Sequence, residues 1–164
     1  EAVTETISPS MDIQIASNFE RLIYDLNEFN SEETKKIMNK IKQERKYLIS
    51  KEKLEKINKD FISASIKEEE ILSVIKEIYT KYKIILDPHS AIGYGALMKI
   101  NLKGDNIVLA TAHPCKFPDA VDRSINIKPE LPMELMHIMD KKESYDIISD
   151  NLSEVKQHIK DRIL

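Results

Sequence analysis

Apolar positions recur at helical spacing over most of this chain. In "SNFERLIYDLNEF", Phe19, Leu22, Ile23, Leu26 and Phe29 fall on one face and predict a helix near 17 to 29, with Ser8 and Asp12 upstream as candidate caps. "SEETKKIMNKIKQERKYLIS" opens with Ser31 as a candidate N-cap and acids in its first turn. Lysines follow later, the charge order that suits a helix dipole, and Ile37, Ile41 and Leu48 share a face, so a helix is expected near 31 to 49. A shorter helix fits "KEKLEKINKDF". The β-forming "FISAS" reads as an extended piece, and "IKEEEILSVIKEIYTKYK" predicts the clearest helix, near 67 to 82.

The texture then changes. "IILDPHSAIGYGALMKI" has an apolar approach, a turn at Asp87-Pro88, and small residues Ala91, Gly93, Gly95 and Ala96 that allow close packing of a helix. "NIVLATAH" predicts a strand near 106 to 111, bounded by Gly104-Asp105 and Pro114. A solitary strand leaves both edges unpaired, so its partners lie elsewhere in a longer chain or it pairs with "FISAS". From Leu131 onward helical spacing returns, with Ser153 as a candidate N-cap of a helix near 153 to 162 and Lys160 and Arg162 at its end. The organisation expected is one α-rich α/β unit over 1–164: helical through 12–83, a strand-bearing segment over 84–121, and a helical tail over 122–164.

Composition narrows the classes. The chain has 164 residues, 41% hydrophobic and 32% charged, with three glycines and no tryptophan, which fits a soluble helical protein. A net charge of -3 argues against nucleic acid as a partner. Only one cysteine, Cys115, is present, which favours a reducing compartment, with the cytoplasm as the default. No apolar run approaches the roughly 20 residues that cross a bilayer, so no membrane partner is expected.

Several residues invite chemistry. Asp87, His89 and His113 are metal-ligand types, but their spacing matches no ligand signature. Lys116 beside Cys115 could activate the thiol, although a half-buried structural cysteine is the simpler reading. Ser10, His89 and Asp12 could form a hydrolytic triad on paper, but no strand-turn-helix elbow surrounds a serine. The lysines from Lys35 to Lys59 are interleaved with acids and read as a solvated face.

Three stretches carry more. "SPSMDIQIASNFERLIYD" (8 to 25), "LDPHSAIGYGAL" (86 to 97) and "LATAHPCKFPDAV" (109 to 121) resemble, in order and spacing, the C-terminal part of threonine synthases of the longer bacterial and fungal type. Ser90 and Ile92 stand where that family usually has threonine and valine, and Cys115 where alanine is common; the lysine-rich 31 to 60 is poorly matched. The resemblance implies a helix-rich C-terminal fragment of a fold-type II pyridoxal-phosphate enzyme, a lyase converting O-phospho-L-homoserine and water to L-threonine and phosphate.

The resemblance also implies site roles. Thr111 is placed against the pyridine nitrogen of the cofactor, where a hydroxyl can hydrogen-bond a neutral ring nitrogen without the ionic stabilisation of a carboxylate. Ser17, Asn18 and Arg21 are candidates for substrate binding, as is Lys116, with Arg21 suited to clamp a phosphate or carboxylate. His113 is expected to border the site, and Asp87-Pro88-His89 to act as architecture. The family's Schiff-base lysine and its glycine-rich phosphate loop belong to an upstream segment. This chain is therefore expected to need that N-terminal portion as its partner, and to be inactive and unable to hold the cofactor alone. A different class, a stand-alone helical interaction or scaffold module, stays open at this point.

Overall fold

The computed structural model describes residues 4–13 and 15–163. The chain divides into two compact units, one up to Glu130 and one from Leu131 onward.

In the first unit, helices α1 (Ser17–Leu26) and α2 (Ser31–Glu44) form a hairpin around Ile23, Ile37, Met38 and Ile41, with Phe19 and Tyr47 against them. The predicted apolar faces meet here, but α1 stops earlier than expected. Glu28 and Phe29 take positive φ, 54° and 63°, and turn the chain toward α2. The cap of α2 is Asn30, whose side-chain oxygen accepts the Glu33 N–H at 3.0 Å, in place of the expected Ser31. Arg45 in the left-handed region ends α2, which leaves Leu48 off the predicted face and 78% exposed. Neither Ser8 nor Asp12 caps a helix. The Ser8 hydroxyl is buried without a partner among the described residues, and the Asp12 carboxylate accepts the Thr6 N–H and hydroxyl at 2.7 and 2.9 Å.

Helix α3 (Lys51–Asp60) is capped by Ser50 and has no buried residue. Helix α4 (Glu68–Tyr82) is the central element. It packs against α5 (Pro88–Ile100) and α6 (Pro118–Ile125) and buries Ile71 and Ile75 beside Ala91. Ile66, Val74, Leu86 and Ile125 close around that cluster. Arg123 on α6 donates to Glu68 at 2.6 Å, and the Ser124 hydroxyl to the Leu72 carbonyl at 2.6 Å, so polar bonds pin α6 beside α4.

The predicted strand near 106 to 111 is not formed, nor does "FISAS" pair with it; among the described residues there is no β-ladder. A strand exists through hydrogen bonds to a neighbour, and β-propensity alone does not make one. Over 106 to 111 only Val108 turns inward. Val108 turns onto α5, where a Cβ on Gly93 would lie 3.1 Å from its Cγ1, while Ile107 and Leu109 are 91% and 75% exposed. Gly93 is thus the small residue that lets this segment approach the helix.

The second unit holds α7 (Met133–Met136) and α8 (Leu152–Ile163) with irregular chain between them, so the helical tail is less continuous than its spacing suggests. Asn151, not Ser153, supplies the capping oxygen of α8, accepting the Ser153 N–H at 2.9 Å.

Candidate functional site

The polar centre of the first unit grows from the start of α5. Pro88 occupies the first helical position, where its missing N–H costs nothing. Asp87 is the N-cap, and its carboxylate accepts the N–H groups of His89 at 2.9 Å and Ser90 at 3.3 Å. Such a cap would ordinarily sit at the surface, but Asp87 is only 1% exposed. A carboxylate buried this deeply requires several donors.

Two further donors come from side chains. His89 Nδ1 lies 3.0 Å from Asp87 Oδ1, and Nε2 accepts the Ser10 N–H at 3.2 Å. Since Nε2 accepts, the ring proton sits on Nδ1 and points at the carboxylate. The His89 ring also leans on Phe117, with centroids 4.6 Å apart. One histidine thereby joins the N-terminal turn, α5 and the end of the 3₁₀ turn at Pro114–Lys116 that precedes α6. The Ser90 hydroxyl bonds Asp87 Oδ2, its oxygen accepts the Thr111 N–H at 3.0 Å, and the two hydroxyl oxygens of Ser90 and Thr111 are 3.5 Å apart.

Ser10, His89, Thr111 and Phe117 of this network border a cavity of about 670 Å³, with Gly93, Ala96 and Leu97 on the α5 side and Val108 and Leu109 across from them; Asp87 and Ser90 lie behind its wall. Lys116 and Phe117 lie along the same cavity. Its mainly apolar lining with a few polar groups, and its size, are those of a small-molecule site.

Of the residues singled out in the sequence, Thr111 and Lys116 share this cavity. Ser17 and Arg21 line a different one, of about 540 Å³, between α1 and α2 with Lys35 and Lys42; Asn18 is exposed and lines neither. His113 turns its Nδ1 back to the Cys115 N–H at 3.2 Å and caps the 3₁₀ turn. Asp87 and His89 do meet, as hydrogen-bond partners, and no group of three or more metal-ligand side chains occurs among the described residues. Ser10 reaches His89 through its backbone N–H and Asp12 holds Thr6, so the paper triad is not assembled. Sequence reasoning missed the tie between Ser90 and Thr111. No local spacing could reveal a bond between residues 21 positions apart. No helix among the described residues is long and apolar enough to cross a membrane.

The fold is shared with solved enzymes. The PLP-bound threonine synthase from Brucella melitensis superposes with a TM-score of 0.79 at 36% identity, over 98% of this chain and 35% of that one. The yeast threonine synthase structure gives 0.76 at 32% identity, over 98% and 37%. The helix-rich portion of such enzymes is thus the class of structure in hand. The family model described as "Threonine synthase, C-terminal" matches residues 90–159. The threonine synthase of Pseudomonas aeruginosa is 32% identical over 94% of this chain and 34% of its own length. The chain belongs to the threonine synthase family, and it spans about a third of the length of the relatives it matches.

Proposed function

We infer that this chain is the C-terminal part of a threonine synthase, a pyridoxal-phosphate-dependent lyase of threonine biosynthesis that turns O-phospho-L-homoserine and water into L-threonine and phosphate in the cytoplasm. The observation that carries the reading is Thr111: a hydroxyl beside an apolar cavity, with its backbone anchored to a buried network. That arrangement fits a flat heteroaromatic cofactor, since apolar walls receive the ring and one neutral hydroxyl meets its nitrogen. When bound, the cofactor supplies the carbanion-stabilising chemistry. The chain's own residues hold and orient. Thr111 offers its hydroxyl to the ring nitrogen, and Lys116, at the same cavity, attracts the anionic substrate.

Ser17, Asn18 and Arg21 enter the reading as substrate binders. Support for Ser17 and Arg21 is their grouping with Lys35 and Lys42 around one cavity, where three cations outnumber the single carboxylate of Glu20 and suit a phosphate or carboxylate; Asn18 rests on the family resemblance alone. Arg21→Lys should then raise KM for phosphohomoserine while leaving kcat near its starting value, because a bidentate clamp is lost while the charge stays.

The test of the reading is turnover. Joined to the upstream two-thirds of a threonine synthase, the chain should release phosphate and form threonine from phosphohomoserine; by itself it should do neither. A joined enzyme that folds and binds pyridoxal phosphate yet leaves phosphohomoserine intact would overturn it.

A further inference from the structure

We propose that Ser90 is a positioning residue for Thr111, acting through a one-way hydrogen-bond chain that starts at the buried carboxylate of Asp87. The inference rests on the reading of Thr111 given above and adds the device that sets its hydroxyl.

The direction of the chain follows from donor and acceptor chemistry. The Asp87 carboxylate receives two backbone N–H groups, the His89 ring N–H and the Ser90 hydroxyl. An ionised carboxylate only accepts, so the Ser90 proton is committed to it. The Ser90 oxygen is left as a pure acceptor. One lone pair takes the Thr111 N–H at 3.0 Å, and the other faces the Thr111 hydroxyl at 3.5 Å. Ser90 is 3% exposed, so its bond to Asp87 is shielded from water, while Thr111 is exposed on its far side.

Two consequences follow for Thr111. Its backbone lies in a segment without a ladder partner among the described residues, and the bond to Ser90 ties that segment to the first turn of α5. Its hydroxyl has an acceptor behind it and the cavity in front. The proton turns back to Ser90 when the group opposite carries a proton, and forward when that group offers a lone pair. Ser90 thus lets one threonine serve either protonation state of a ring nitrogen, and Asp87 keeps Ser90 from reversing its role. His89, with both ring nitrogens engaged, holds Asp87 in place.

The experiment compares Ser90→Ala, Ser90→Cys and Ser90→Thr in the complete enzyme that contains this chain, with Thr111→Val alongside. Ser90→Cys keeps the shape and replaces the oxygen with a poor acceptor, so it serves if the alanine variant does not fold. Both should lower kcat about tenfold, from the loss of about one hydrogen bond, with KM for phosphohomoserine little changed. Both should also alter the pH dependence of the cofactor's absorption band and speed hydrogen exchange at the Thr111 amide. Ser90→Thr, which keeps the hydroxyl, should leave all three at their original values. If Thr111→Val shifts the absorption band while Ser90→Cys leaves band, kcat and exchange unaltered, the inference fails and the reading of Thr111 stands. If Thr111→Val itself shifts nothing, that reading fails and takes the role of Ser90 with it.

Discussion

Thr111 concentrates the functional argument into one oxygen atom. Replacing it with valine keeps the β-branched shape and removes only the hydroxyl, and the backbone N–H that Ser90 accepts is untouched. In the complete enzyme Thr111→Val should therefore fold normally, while turnover of phosphohomoserine falls about tenfold or more. Thr80→Val is the control. The Thr80 hydroxyl donates to the Lys76 carbonyl at 2.7 Å on an exposed part of α4, and its loss should leave turnover unaltered. Equal rates in the Thr111→Val and parent enzymes, with the same cofactor spectrum, would make Thr111 part of the scaffold. The role proposed for Thr111 comes from the sequence only through the motif around it. Its partner Ser90 was legible as part of another motif, but the bond between them was not, because pairing over 21 positions is decided by how α5 and the later segment pack.

At the scale of the element, α4 is the support on which the site rests. Ile75 is fully buried between α5 and its surroundings, so Ile75→Ala should cost about 2–5 kcal/mol of stability, read from urea denaturation with an unchanged slope. The first turn of α4 also carries a pH dependence. Glu70 accepts the Lys67 N–H at 2.8 Å, and the Lys99 ammonium lies 2.9 Å away; these bonds hold the carboxyl below the ordinary glutamate value. A depressed folded-state value contributes stability above the ordinary glutamate range, and that contribution is lost as pH falls through the folded value. The difference in melting temperature between the parent and Glu70→Gln should therefore be largest near neutrality and vanish in acid. A difference that persists unchanged into acid would assign the effect to packing.

For the molecule as a whole, the telling property is its share of its relatives' length, about a third. Pyridoxal phosphate added to the 164-residue chain should find no specific attachment point. Borohydride reduction followed by peptide mapping should then show only scattered, partial labelling among the surface lysines. Stoichiometric labelling of a single lysine would place the attachment within this chain and overturn the division of labour proposed here.

The sequence by itself determined the helices, because a helix closes its hydrogen bonds within a few residues and its apolar stripe repeats locally. The periodic faces of α1 and α2 lie where Ile23 and Ile37 said they would, α4 forms over the stretch "IKEEEILSVIKEIYTKYK", and Asp87-Pro88 opens α5 as its turn chemistry implied. Helix ends were less secure: Asn30 and Asn151 took the capping roles assigned to their serine neighbours, since one side chain and the next compete for the same N–H groups. Tertiary structure alone decided the rest. The segment with Ile107 and Leu109 has every local preference for a strand and forms none, because a ladder needs a second chain segment beside it. Thr111 shares a cavity with Lys116 and not with Arg21, and the cap at Asp87 is joined to Ser10 through His89 and to Thr111 through Ser90, because packing brings together residues that no local period relates.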